Sequence, residues 1–451
     1  MSLPAECGAE VLRVMREEAQ DLSLDVDVYK ACAADAIGGP CRTVVPGGGQ
    51  LRACLEDLVT HNRTAISSNC SRGITHAAIL RASDIRLQLP LHDACAQDAK
   101  RFCASVPPGN MQVLVCLGEH KSDVDMSVGC SAKLHAYQER VMSDFRLDSR
   151  VLQACPADIM KYCANTSLGS GNVHQCLIAS QELLGSATCR QEVHRIAKLA
   201  TSDVRLNRPI ARHCMRHVAA DGICGGLAAG KGRVLECLKS HMGSLDAKCA
   251  QHVDLLRRAQ ARDVTYNPSI MTACAEEIKS PQFCGDVQHG GGAVLSCLGR
   301  LRMQPRFGKE CKTLVMTTMM RHSADIRLMV SLHRSCVDDL GRLCNYSQGD
   351  ANAVGVHESS IHGWESSYRQ DKVAPYLTCL RERQVELEDA ACKVTVARLQ
   401  PLSSTPAIRA PHLLVQRVFP SAGSERWILS NCRSRRTPCS TGHSSSHASK
   451  T

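Results

Sequence analysis

The sequence predicts an all-α fold, built as a tandem array of small, disulfide-stapled, three-helix cysteine-rich repeats. Three observations predict it. Cysteines number 27 in 451 residues. They recur in groups of four at near-constant intervals along most of the chain. The stretch after each fourth cysteine carries apolar residues on one helical face, as in Leu134, Tyr137, Val141 and in Val193, Ile196, Ala200.

The cysteine density points to an oxidising compartment, outside the cell or in the secretory lumen, where disulfides persist. Aromatic residues make up only 3%, and both tryptophans, Trp364 and Trp427, lie outside the regular part of the chain. Many small cores with covalent staples suit such a composition better than one large core. Lys and Arg outnumber Asp and Glu by 54 to 44, a net charge of +10. These basic residues are dispersed and aromatics are scarce, which argues against nucleic-acid binding. A weakly basic surface still attracts acidic glycans.

The cysteines align in fours as Cys32, Cys41, Cys54, Cys70; Cys95, Cys103, Cys116, Cys130; and Cys155, Cys163, Cys176, Cys189. The series continues with Cys214, Cys224, Cys237, Cys249; Cys274, Cys284, Cys297, Cys311; and Cys336, Cys344, Cys379, Cys392. Second and third cysteines stand 13 apart in the first five units, and each fourth cysteine precedes the next first cysteine by 25. Cys7 obeys the same rule, 25 before Cys32. The frame gives the end of a truncated repeat over 1–24 and repeats over 25–87, 88–147, 148–206, 207–266 and 267–328. A sixth repeat over 329–399 carries a 22-residue insert, and a divergent tail expected to be disordered covers 400–451.

Other side chains repeat with the cysteines. Fourteen residues after each fourth cysteine stands Asp21, Asp84, Asp144, Asp203, Asp263 or Asp325, and three further on Leu24, Leu87, Leu147, Leu206, Tyr266 or Leu328. The aspartate is expected to cap the next helix through that helix's free backbone N–H groups. That helix should carry the first cysteine and finish near the second. Gly-rich turns follow, such as Gly47-Gly48-Gly49 and Gly290-Gly291-Gly292. A further helix then carries the third cysteine with its leucine. Three residues after the first cysteine is an acid in Asp35, Asp98, Asp158, Glu277 and Asp339, with His217 the exception. A repeated cap or ion pair explains these acids better than catalysis does. Twelve disulfides within repeats are expected, leaving Cys7, Cys432 and Cys439 outside the framework. Three pairings are possible for four cysteines, and the sequence does not choose among them.

No other constellation carries chemistry. There is no Cys-x-x-Cys, the spacing a structural zinc site usually presents. A Cys–His nucleophile needs a singular cysteine, whereas these belong to a framework. The insert holds Val356, His357, His362, Trp364 and Tyr368, with its histidines too isolated for a metal site, and an exposed loop is expected there. No catalytic residue, metal ligand or cofactor is assigned. Asn62, Asn165 and Asn345 open Asn-x-Ser/Thr acceptors, and glycosylation is expected if the chain reaches the lumen. The N-terminus shows no apolar signal core, and no run of about 18 apolar residues occurs. The reading therefore expects a fragment or variant of a longer protein, without its own signal or span.

The unit Cys-x(7–9)-Cys-x12-Cys-Leu-x(10–14)-Cys with its embedded Asp-x-x-Leu resembles the repeats of the Golgi apparatus protein 1 family. That family is also called cysteine-rich fibroblast growth factor receptor or E-selectin ligand. Segments such as Tyr162-Cys163-Ala164-Asn165 and Ser202-Asp203-Val204-Arg205-Leu206 carry the likeness, which covers residues 1 to about 399. The resemblance implies a Golgi luminal, membrane-anchored sialoglycoprotein and a binding ectodomain, not an enzyme. It implies fibroblast growth factors and the transforming growth factor β precursor as partners, and selectins through attached glycans. A structural or cargo-handling luminal scaffold is the alternative. The membrane would be reached only through a span that this chain lacks.

Overall fold

A repeat this short cannot bury each helix on its own, so its apolar stripes must meet one another. The computed structural model describes residues 4–45, 47–323, 325–346 and 374–398. Their regular elements are all α-helices and short 3-10 turns. Each repeat is built on three helical regions, with its third and fourth cysteines on the second and third of them. In the second repeat these are Leu89–Phe102, Gln112–Glu119 and Val128–Ser143, followed by the 3-10 turn Phe145–Leu147. The first repeat has Val26–Gly38, Gln50–His61 and Ser68–Arg81 in the same roles. The sixth has Val330–Cys344, Ala374–Glu382 and Ala390–Arg398.

Repeats three to five depart from the expected first helix, which breaks at the first cysteine. Ser149–Ala154 gives way to Pro156–Tyr162, Arg208–His213 to Met215–Val218, and Pro268–Ala273 to Ala275–Lys279. In the third repeat Pro156 follows the cysteine directly; its ring disfavours helix at the residue before it and removes one N–H donor. In the fourth, the helix stops at Val218, well short of Cys224.

The repeated aspartate is a cap, but of the 3-10 turn and not of the helix beyond. Asp84, Asp144, Asp203 and Asp325 each accept from the backbone N–H two residues on, and the arginine there folds back onto the same carboxylate. In the first and fifth junctions Ser23 and Thr265 replace that arginine and donate their hydroxyls instead. The helix itself is capped four residues after the aspartate, by Asp25, Asp148, Asn207 and Asn267. The third helices start on Ser67, Ser127, Ser186, Asp246 and Asp389, each accepting from the N–H of the fourth cysteine.

The repeats interlock. The residue after each repeated aspartate packs forward: Ile85 lies in the second repeat's core, Val204 in the fourth's and Val264 in the fifth's. The residue two further on packs backward, as Leu206 does in the third repeat's core. Tyr266 reaches that same third core from the end of the fourth repeat. The insert between 347 and 373 and the tail from 399 lie outside the described residues, and so do His357, His362, Cys432 and Cys439.

Candidate functional site

Two features are repeated so regularly that they define what the array is built to hold: the disulfide framework and the seams between repeats. In every repeat the first cysteine pairs with the fourth and the second with the third. The first-to-fourth bridges are Cys32–Cys70, Cys95–Cys130, Cys155–Cys189, Cys214–Cys249, Cys274–Cys311 and Cys336–Cys392, with Cα atoms 4.5 to 4.9 Å apart. The second-to-third bridges are Cys41–Cys54, Cys103–Cys116, Cys163–Cys176, Cys224–Cys237, Cys284–Cys297 and Cys344–Cys379, at 5.9 to 6.1 Å. Closing 13 residues stabilises by roughly 3 kcal/mol in the chain-entropy model, and closing 34 to 38 by roughly 4. Cys7 is free and exposed.

The acid three residues after the first cysteine reaches across this framework to the start of the third helix. Asp98 accepts from the backbone N–H of Ser127 at 3.1 Å and from its hydroxyl. Asp35 does the same with Ser67. Asp158 accepts from the N–H groups of Gly185 and Ser186, Glu277 from Gly308, and Asp339 from Glu388 and Asp389. The exception follows the same logic with the charge moved. His217 stands where the acid is expected, and the serine it should meet is Asp246, with ring Nε2 2.9 Å from the carboxylate. Burial pushes the Asp246 carboxyl up, yet the Cys249 N–H and the His217 ring outweigh it and leave its pKa below the usual carboxylate value.

The seams are made by the Gly-rich turns. Each turn ends in a left-handed residue whose N–H bonds back to a carbonyl at the end of the previous third helix. The pairs are Gly49 to Gln20, Met111 to Ser83, Gly171 to Ser143, Gly232 to Ser202 and Gly292 to Arg262, at 2.7 to 3.1 Å. The same residue touches the following repeat. A Cβ on Gly171 would lie 2.9 Å from the Met142 carbonyl oxygen of the second repeat and 3.2 Å from Arg208 Cβ of the fourth. One turn thus joins three repeats.

Buried ions reinforce these seams. Arg81 and Arg140 from successive repeats share Glu56, and Arg52 pairs with Asp25. Asp254 is 1% exposed. Burial raises its pKa, but Arg258, Arg257 and Arg327 overcome that and hold it at about 2. Tyr137 donates its hydroxyl to the Ala82 carbonyl of the preceding repeat at 2.8 Å. Lys121 is pushed down to about 8 by burial, against the attraction of Asp203.

The candidate modification sites are all exposed. Asn62 ends the second helix of its repeat, Asn165 lies in the turn after Cys163, and Asn345 holds a left-handed conformation after Cys344. Among the described residues, two groups have the composition of a metal site: Cys224, Cys237 and His241, and Cys274, Glu277 and Cys311. In both, the two sulfurs are bonded to each other, so neither offers the thiolates that zinc requires. A cavity beside His174 and Gln175 measures about 10 Å³, room for one water and no organic substrate.

Sequence reasoning found the cysteines, the aspartates and the recurring acids. It missed the arginine folded onto each aspartate, although Asp-x-Arg-Leu is legible at four junctions. It also missed that the acid's partner is the cap of the third helix, for which Asp98 and Ser127 are 29 residues apart.

The comparisons with known proteins agree with this geometry. A family described as "Cysteine rich repeat" matches residues 5–63, 68–125, 129–182, 187–246 and 247–306. Those matches run from one third helix to the next second helix, so the Cys32–Cys70 bridge joins two successive matches. Golgi apparatus protein 1 of Cricetulus griseus is 26% identical over 76% of this chain and 30% of its own length. Golgi apparatus protein 1 of Homo sapiens is 25% identical over 76% of this chain and 29% of its own. A Caenorhabditis elegans homologue is 25% identical over 76% and 32%. The chain spans about a third of the length of these relatives. No solved structure matches. On its repeats, its framework and these relatives, the chain belongs to the cysteine-rich repeat family that includes Golgi apparatus protein 1.

Proposed function

We propose that the array is a non-catalytic binding ectodomain of the Golgi lumen, with growth factors or their precursors as ligands. The supporting observation is the framework itself. Twelve disulfides and five seams, four closed by glycine and one by Met111, hold copies of one unit in fixed register, and an array of that kind offers a repeated surface to a protein ligand. Such bridges persist only in an oxidising compartment, which agrees with the name its relatives carry. Among the described residues no helix is long and apolar enough to cross a membrane. Fibroblast growth factors are the first ligands to test, with the transforming growth factor β precursor second. Selectin recognition would run through glycans at Asn62, Asn165 or Asn345. The test is surface-plasmon binding of the oxidised array to an immobilised fibroblast growth factor. Saturable binding lost on reduction is the expected result. No binding by an array with intact disulfides would favour a luminal scaffold without a dedicated ligand.

A further inference from the structure

The fifth repeat differs from the others in the charge of one connection. Around the turn between its second helix, Ala293–Leu301, and its third, Lys309–Ser323, the chain gathers Arg300, Arg302, Arg306, Lys309 and Lys312 with a single acid, Glu310. The same stretch runs in every repeat from three residues after the third cysteine to one after the fourth. In no other repeat does it hold more than two Lys or Arg, and in each of them acids equal or outnumber these. The excess in the fifth repeat has no counterpart inside the fold. Arg302 folds onto the Gly299 carbonyl. The side chains of Arg300, Arg306, Lys309 and Lys312 meet no acid and no hydrogen-bond acceptor among the described residues. The first three are exposed and Lys312 is half-buried. The backbone beneath them is fixed. Phe307 is buried and meets Phe283 edge-on, with ring centres 5.7 Å apart. Glu277 accepts from the Gly308 N–H at 2.7 Å, and the Gln304 and Phe307 N–H groups bond to the Leu301 and Gln304 carbonyls. Lys309 and Lys312, three apart in the first turn of their helix, share one face. Like charges gathered in this way repel one another, and a bound polyanion relieves the repulsion.

We infer that residues 300–312 form a binding site for a sulfated polysaccharide, with Arg300, Arg306, Lys309 and Lys312 as its contacts. The chemistry selects that partner. Sulfate esters stay ionised at physiological pH and accept charge-assisted hydrogen bonds from guanidinium and ammonium groups, as other oxyanions do. A protein partner needs an apolar centre to its interface, and single-stranded nucleic acid needs aromatic rings on which bases stack. The one aromatic ring of the stretch, Phe307, is 7% exposed, and its one large exposed apolar side chain is Met303. A single methionine is also too little apolar surface to hold the connection in a bilayer. A sulfated chain asks for neither: it is bound by fixed positive charge and by release of its counterions, the terms this site supplies.

The test is surface-plasmon binding of the oxidised full chain to immobilised heparin. Two comparison surfaces are hyaluronan, which carries carboxylates and no sulfate, and vesicles of phosphatidylserine in phosphatidylcholine. The chain should bind heparin with an affinity that falls as salt is added, and should bind the other two surfaces about tenfold more weakly or worse. The quadruple variant Arg300→Gln, Arg306→Gln, Lys309→Gln, Lys312→Gln should weaken heparin binding about tenfold or more and flatten its salt dependence. A control variant, Lys30→Gln, Lys100→Gln, Lys133→Gln, Lys198→Gln, removes the same charge from exposed positions in the first three repeats. It should change heparin binding by less than about twofold, because net charge alone is then not what binds. Matching urea midpoints show that both variants are folded. Equal weakening by the two variants, equal binding to hyaluronan, tighter binding to the vesicles, or no heparin binding by the intact chain would each overturn the inference.

Discussion

Replacing Gly171 by alanine should loosen three repeats at once, whereas the same change two residues earlier should not. Both glycines are left-handed, with φ of +72° at Gly171 and +83° at Gly169. An alanine there carries the left-handed penalty of about 1–2 kcal/mol at either site. The two differ in what the new methyl meets. Nothing lies within 4 Å of a Cβ at Gly169. At Gly171 the methyl would meet the Met142 carbonyl oxygen at 2.9 Å, Arg208 Cβ at 3.2 Å and Pro209 Cδ at 3.3 Å. Two of these three are backbone or ring atoms with little freedom to move, so overpacking adds about 1–3 kcal/mol. Gly169→Ala should therefore cost about 1–2 kcal/mol and Gly171→Ala about 2–5. Chemical unfolding of the oxidised chain measures both. Hydrogen exchange should also show the Gly171 amide, bonded to the Ser143 carbonyl at 2.8 Å, losing protection only in the Gly171 variant. Equal destabilisation by the two variants would refute the reasoning, because the seam contact would then contribute nothing beyond backbone conformation.

Three further outcomes follow from the same geometry. His217→Asp sets a second carboxylate against Asp246 and should destabilise by about 1–3 kcal/mol. Adding Asp246→Ser rebuilds the Asp98–Ser127 arrangement and should recover most of that loss in a double-mutant cycle of unfolding free energies. Burial first, then His213 and Lys248, pushes His252 down to about 4. Its folded value lies below its unfolded value of about 6.5. Stability is therefore complete above pH 6.5 and is lost as pH falls toward 4. His252→Gln should flatten that slope in urea midpoints taken between pH 7 and 4, and an unchanged slope would remove His252 from the account. Expressed behind a signal peptide, the chain should carry glycans at Asn62, Asn165 and Asn345, and each Asn→Gln change should remove one glycosidase-sensitive mobility shift. A site whose substitution leaves mobility unchanged is not used.

Much of this was legible in the sequence because a repeated pattern removes ambiguity that a single motif leaves. Near-constant spacing across six groups of four located every framework cysteine, and Asp-x-x-Leu, with Tyr266 in place of the leucine after Asp263, located each junction. The disulfide pairing was not legible, since three connectivities satisfy one spacing. The two classes of bridge become distinct only when the third helix packs on the first, bringing Cys95 to Cys130 across 35 residues. The seams were hidden for a similar reason. Met111 takes the left-handed place that Gly49, Gly171, Gly232 and Gly292 hold elsewhere, so no glycine pattern marks it. The broken first helices escaped as well. Proline explains Cys155, whereas Met215 and Ala275 after the other two cysteines give no warning. The role of the recurring acid depends on a cap residue some thirty positions away, beyond any local rule.

The central claim is that each repeat is closed by two bridges of its own, while the seams and not the cysteines join one repeat to the next. Non-reducing peptide mapping of lumenally expressed protein tests it most directly, with proteolysis at low pH to prevent exchange. The account predicts first-to-fourth and second-to-third pairs, such as Cys155–Cys189 and Cys163–Cys176, in all six repeats. First-to-second and third-to-fourth pairs, or bridges joining different groups of four, would contradict it.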